Sequence, residues 1–93
     1  MDTPDTERRP HRYLVLVMRL PAFDAAVIEP HRRFLDELRA DGLLELQGPF
    51  TDKSGGAYLL RATSLARANA IVARDPLVTS GASRVCVYEW AAT

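Results

Sequence analysis

Residues 43–62 read LLELQGPFTDKSGGAYLLRA. Two apolar-rich runs, 43–47 and 57–62, flank a segment holding Gly48-Pro49, Asp52, Ser54 and the Gly55-Gly56 pair. Glycine and proline punctuate regular structure, and short Asp and Ser side chains satisfy turn backbones, so the interior of this stretch turns the chain while its flanks extend. It predicts a β-hairpin, the second and third strands of the fold.

Working outward toward the N-terminus, apolar residues fall at Val27, Ile28, Phe34, Leu35 and Leu38, the spacing of one helical stripe with His31 filling its gap. Asp24 suits the N-cap and Gly42 the first position beyond the C-cap. Pro30 falls inside this pattern, where it would remove a backbone bond, so a kink or a late helix start is expected beside His31. Further out, residues 13–19 form a Val- and Leu-rich strand that stops at Leu20-Pro21.

Toward the C-terminus, Thr63 or Ser64 can cap a second helix with the stripe Leu65, Ala68, Ile71 and Val72, which ends before Asp75-Pro76. Residues 83–90 close the chain as a fourth strand. The order β-α-β-β-α-β predicts an α+β ferredoxin-like plait, a four-stranded antiparallel sheet with two helices on one face.

Strand alternation adds a demand. In the first strand Tyr13, Val15 and Val17 point one way and Leu14, Leu16 and Met18 the other, and both sets are apolar. In the last strand Val85 and Val87 oppose Cys86, Tyr88 and Trp90. Two helices cover one face, so the other face calls for a second copy of the chain, a homodimer through the sheet.

Ninety-three residues, 47% hydrophobic and 26% charged, suit one small folded unit, read as a flexible N-terminal tail at 1–11 followed by a single domain at 12–93. Twelve basic residues balance twelve acidic ones. A nucleic-acid partner is not expected, because the counterion-releasing basic excess is missing, and the central strands lack an aromatic platform for RNA. The longest apolar run, residues 13–18, is far below the roughly 20 residues of a membrane span. No apolar leader follows Arg8 and Arg9, and Cys86, the lone cysteine, has no partner for a disulfide, so a cytoplasmic location is expected.

Catalytic templates with a nucleophile elbow, a phosphate loop or a dinucleotide fingerprint are missing, and His11 and His31 are too few for a closed zinc site, so no metal is expected. His31 stands out because its stripe position turns an imidazole toward the sheet. It is either a core histidine satisfied by a carbonyl that Pro30 frees, or a proton carrier that needs an orienting partner. Asp75 is either a solvated Asp-Pro turn or that partner, and Asp36 is turned away around the helix. Arg19, ending the first strand, is either a solvated strand end or a contact for an anionic group, and Gly48-Pro49-Phe50 is either a plain turn after the second strand or a place where backbone approaches a ligand.

Taken together, Tyr13-Leu14-Val15, the His31 helix with Phe34-Leu35, Asp41-Gly42-Leu43-Leu44, Gly48-Pro49-Phe50, Asp75-Pro76-Leu77 and Val87-Tyr88-Glu89-Trp90 resemble the YciI-like (YCII-related) family over residues 12–90. The resemblance implies ferredoxin-like domains that dimerise through their sheets, and an active site built from the helix histidine and the aspartate of a D-P-[FYL] motif. Those map onto His31 and Asp75. It further implies proton-transfer chemistry, elimination or isomerisation, on small cyclic compounds.

The expectation is a small-molecule enzyme of lyase or isomerase type that needs no cofactor. His31 moves a proton and Asp75 fixes its tautomer, while Arg19 and backbone near Gly48 and Pro49 steady an enolate or phenolate charge. The alternative is a non-catalytic dimeric ligand-binding or protein-interaction module in which His31 and Asp75 merely satisfy each other.

Overall fold

The computed structural model describes residues 11–93. The chain forms β1 (His11–Arg19), a 3-10 turn (Ala25–Val27), α1 (Ile28–Ala40), β2 (Leu44–Pro49), β3 (Gly55–Ala62), α2 (Leu65–Val72), α3 (Pro76–Thr79) and β4 (Ser83–Trp90). The strands make one antiparallel sheet in the order β2-β3-β1-β4, the ferredoxin-like plait expected from the element order. The tail read at 1–11 falls mostly on positions 1–10, which lie outside the described residues; His11 already belongs to β1.

Local chemistry sets the helix that carries the site. Asp24 caps the 3-10 turn by accepting from the Ala26 amide at 2.8 Å. The α-helix then starts at Ile28, which leaves Pro30 in its first turn. Amide groups there have no intrahelical acceptor, so the proline ring costs no hydrogen bond, and the late start resolves the expected conflict without a freed carbonyl beside His31. At the other end Gly42 takes φ +76°, its N–H donating to the Arg39 carbonyl at 3.0 Å while Leu43 N–H reaches the Leu38 carbonyl at 2.9 Å. This Schellman closure turns the chain directly into β2.

The hairpin is longer than its reading. Gly48 and Pro49 belong to β2 and Gly55 and Gly56 to β3, and the turn spans 50–54. Pro49 is tolerated because β2 is an edge strand, where a missing N–H breaks no inner ladder. A register irregularity lies between Leu44 and Leu46. Neither glycine of β3 can take a side chain: a Cβ on Gly55 would collide with the Val17 carbonyl oxygen, and one on Gly56 would sit 2.6 Å from the Gly48 carbonyl oxygen.

Ser64 caps α2, accepting from Arg67 N–H at 3.0 Å. Ala68, Ile71 and Val72 are buried, whereas Leu65 departs from the expected stripe and is exposed. Asp75-Pro76 does more than end that helix. Asp75 is the N-cap of α3, with Pro76 at the opening helical position where its fixed φ fits.

One core lies between the sheet and the helices, built on Tyr13, Val15, Leu38, Leu60 and Val72. Leu38 is 2% exposed, and truncating such a leucine to alanine costs about 2–5 kcal/mol. On the opposite sheet face Leu14, Leu16 and Met18 are half-buried. Strand pairing aligns Leu46, Leu59, Leu14 and Tyr88 across all four strands. Leu46 is 68% exposed and Tyr88 54%, while Leu14 between them is half-buried and Leu59 is buried, so the apolar row is uncovered at its two ends.

Candidate active site

A cavity of about 290 Å³ opens where β1 ends, between α1 and the sheet. Val17, Gly56 and Pro49 form part of its floor, adjacent in one row of the sheet. Ile28, His31 and Leu35 of α1 wall it from above.

His31 faces this cavity because it lies on the same helical stripe as Ile28, Leu35 and Leu38. Its side chain is 19% exposed, and its Nδ1 lies 2.8 Å from Asp75 Oδ1. Asp75 itself has no exposed surface. A buried carboxylate must be paired and hydrogen-bonded, since stripping water from an unpaired one is prohibitive. Here Oδ1 also accepts from the Leu77 N–H at 2.9 Å, and Oδ2 accepts from the Tyr58 hydroxyl at 2.9 Å.

The donors fix the state of each group. Burial first, then the Asp75 charge and the hydrogen bond to it, push the Tyr58 phenol far above its ordinary value, so Tyr58 stays a donor. An ionised Asp75 can only accept, so in a neutral His31 ring the proton lies on Nδ1 and Nε2 carries the free lone pair. Nε2 has no hydrogen-bond partner among the described residues, while the ring borders the cavity. The Tyr58 ring packs obliquely against the imidazole, with centroids 6.1 Å apart and planes at 50°. The arrangement can take a proton from a small molecule at Nε2 while Asp75 compensates the charge created on the ring.

The remaining sequence candidates also border the cavity. Arg19 lies at its rim, its guanidinium carbon 4.2 Å from the centre of the Phe23 ring, a cation–π contact that holds the charge near the opening. Gly48 and Pro49 form the β2 side of the wall, although as strand residues rather than as a loop. Asp36 is on the rim as well and pairs with Arg39 at 3.7 Å, not with His31. Tyr58 and Ser83 were not singled out by sequence. A buried tyrosine must find a partner for its hydroxyl, but the sequence does not show on which face of β3 Tyr58 lies.

The profile of the YCII-related domain matches residues 11–91. The chain belongs to this family. The uncharacterized protein YjpA of Bacillus subtilis (strain 168) is 44% identical to this YCII-related domain over 80 residues, covering 86% of this chain and 94% of YjpA. A solved structure also shares the fold. The 5-chloro-2-hydroxyhydroquinone dehydrochlorinase TftG from Burkholderia phenoliruptrix AC1100, in complex with 2,5-dihydroxybenzoquinone, matches with a TM-score of 0.72 at 20% identity, over 88% of this chain and 95% of that one. No helix among the described residues is long and apolar enough to cross a membrane.

Proposed function

We propose that this YCII-related domain is a small-molecule enzyme of lyase or isomerase type, acting on a small cyclic or enolisable substrate by proton transfer through His31. The observation that carries the reading is the buried Asp75 carboxylate holding His31 Nδ1 at 2.8 Å at the wall of the cavity. Replacing a buried charge network with apolar side chains is often neutral or stabilising, so stability gives little reason to build one. A network that sets one tautomer of one cavity-lining base has a chemical reason.

In the proposed step, Nε2 takes a proton from an acidic C–H or O–H of the substrate. The electron pair left behind either forms a double bond and expels a leaving group from the neighbouring atom, or collects a proton at another position. Elimination and isomerisation are thus two outcomes of one abstraction. Arg19 at the rim and the wall at Gly48 and Pro49 bind the substrate and steady the enolate or phenolate charge that develops. A structural neighbour named as a dehydrochlorinase and holding a six-membered dihydroxyquinone supports a substrate of that size and acidity.

A second copy of the chain is proposed to cover the apolar row Leu46, Leu59, Leu14 and Tyr88. Those side chains cross every strand of the face opposite the helices, so a twofold partner presents the same row in return.

The test of the catalytic reading is a screen of monocyclic phenols, quinols and enols for elimination or isomerisation, run in parallel on the parent and on His31→Gln. Glutamine approximates the volume of histidine but exchanges no proton near neutral pH. The variant is expected to stay folded and to lose turnover by about 100-fold or more. A folded variant that works at the parent rate replaces this reading with that of a ligand-binding module.

A further inference from the structure

One residue of the cavity wall carries a hydroxyl that the folded chain does not use. Ser83 opens β4, is 6% exposed, and borders the cavity. Its Oγ is buried and makes no hydrogen bond, the one such side-chain polar atom among the described residues. Buried hydroxyls are almost always paired, because leaving one dry in an apolar wall opposes folding. Asp75 and Tyr58, the neighbouring buried polar groups, are by contrast satisfied by each other, by His31 and by the Leu77 amide.

We propose that Ser83 is a substrate-contacting residue that donates its hydroxyl hydrogen bond to an ionised oxygen on a single planar ring, so that the substrates of this site are phenolates or cyclic enolates. The inference rests on the cavity being the substrate site and adds to it a specificity residue and a charge state.

The charge of the surroundings favours an anion. Ser83 is the direct cross-strand partner of Arg19, so both residues project from the same face at the same end of the sheet. Arg32 and Asp36 also line the cavity, but each is engaged along the helix at 3.7 Å, Arg32 with Glu29 and Asp36 with Arg39, which leaves Arg19 as the lining charge with no ion pair among the described residues. A hydroxyl donating to an ionised oxygen makes a shorter, stronger bond than one donating to a neutral oxygen.

Size admits a substituted ring. An apolar cavity of roughly 150 Å³ accommodates benzene, so about 290 Å³ holds one ring together with its substituents. Apolar contacts come from Val17, Phe23, Ile28, Leu35 and Leu77. With Ser83 on the sheet and His31 on the helix above it, one ring can present its ionised oxygen to the first and its transferable proton to the second.

The experiment uses 4-nitrophenol, whose phenolate form is coloured, beside nitrobenzene and benzoate as neutral and carboxylate controls. The parent protein is expected to bind the phenolate in preference to the neutral phenol, which lowers the pH at which the bound phenol ionises. Ser83→Ala is expected to weaken phenolate binding about 10-fold and to leave nitrobenzene binding unchanged. Ser83→Thr, which retains the hydroxyl, is expected to keep the phenolate preference. Ser83→Ala should melt no lower than the parent, since it removes a hydroxyl that nothing in the fold satisfies.

Equal phenolate binding by the parent and Ser83→Ala overturns the proposal, as does a parent that prefers nitrobenzene or benzoate. A Ser83→Ala protein that fails to fold also overturns it, by showing that the hydroxyl serves the structure. The measurement involves no turnover, so its failure leaves the proton-transfer role of His31 standing, and an inactive parent leaves the phenolate titration intact.

Discussion

Tyr58 and Asp75, on β3 and at the cap of α3, are joined by a hydrogen bond of 2.9 Å from the tyrosine hydroxyl to Asp75 Oδ2. The bond occupies the carboxylate oxygen that His31 does not use, and so ties the orientation of the proposed base to the centre of the sheet. Removing it with Tyr58→Phe leaves a buried acceptor short of a donor. The expected cost is about 1–3 kcal/mol in chemical denaturation, with the fold retained.

The same residue makes stability sensitive to alkali. Folded Tyr58 holds its proton far above the ordinary phenol range, whereas an unfolded tyrosine releases it near about pH 10. Above that pH the unfolded chain therefore binds fewer protons than the folded one, and stability falls as pH rises. Below it the contribution is fully present. Tyr13 is raised in the same direction by burial and by Glu89, so both residues act together. Denaturation midpoints measured from pH 8 to 11 should decline above pH 10 in the parent, and Tyr58→Phe should decline less steeply.

Asp75 combines two jobs, and its variants should separate them. Asp75→Ala loses the α3 cap and leaves Tyr58 and His31 without their acceptor, an expected loss on the order of 3–5 kcal/mol. Asp75→Asn keeps an oxygen for the Leu77 amide and should fold, yet it no longer balances a charged imidazole. Its turnover should fall further than its melting temperature suggests; equal effects on both would mark the aspartate as purely structural.

Gly56 is placed where backbone approaches backbone. Gly56→Ala puts a Cβ against the Gly48 carbonyl oxygen and pushes β2 away from β3 at the cavity wall. A loss of about 1–3 kcal/mol is expected, together with weaker 4-nitrophenol binding. Unchanged affinity in a folded variant would show that the β2 wall does not contact the ligand.

The proposed dimer is tested by sedimentation. The parent should run as a dimer at micromolar concentration, and a charge placed in the apolar row, Leu14→Glu, should give a folded monomer. A parent that sediments as a monomer contradicts a partner on this face.

Much of this architecture is readable from local chemistry. Gly42 and Ser64 end or begin their helices through interactions with residues a few positions away, Asp24 caps the 3-10 turn that precedes α1 rather than α1 itself, and β4 spans residues 83–90 as its alternation indicates. His31 and Asp75 were legible as candidates, but their meeting spans forty-four positions and depends on how α1 and α3 dock. Pro76 reads equally well as the stop of one helix and the start of another, which hides the capping role of Asp75. The run Tyr58-Leu59-Leu60 is apolar without a break, so nothing in it distinguishes the face on which Tyr58 lies. Ser83 carries no sequence signal, because an unpaired hydroxyl is defined by what surrounds it.

The central claim is that Asp75 holds the proton of neutral His31 on Nδ1 and so leaves Nε2 free to accept one from a ligand. Nitrogen-15 NMR of the His31 ring, followed through its titration, reads this directly. The account predicts a neutral imidazole protonated at Nδ1, with Nε2 as the nitrogen that gains and loses the proton. A neutral ring that carries its proton on Nε2 would contradict it.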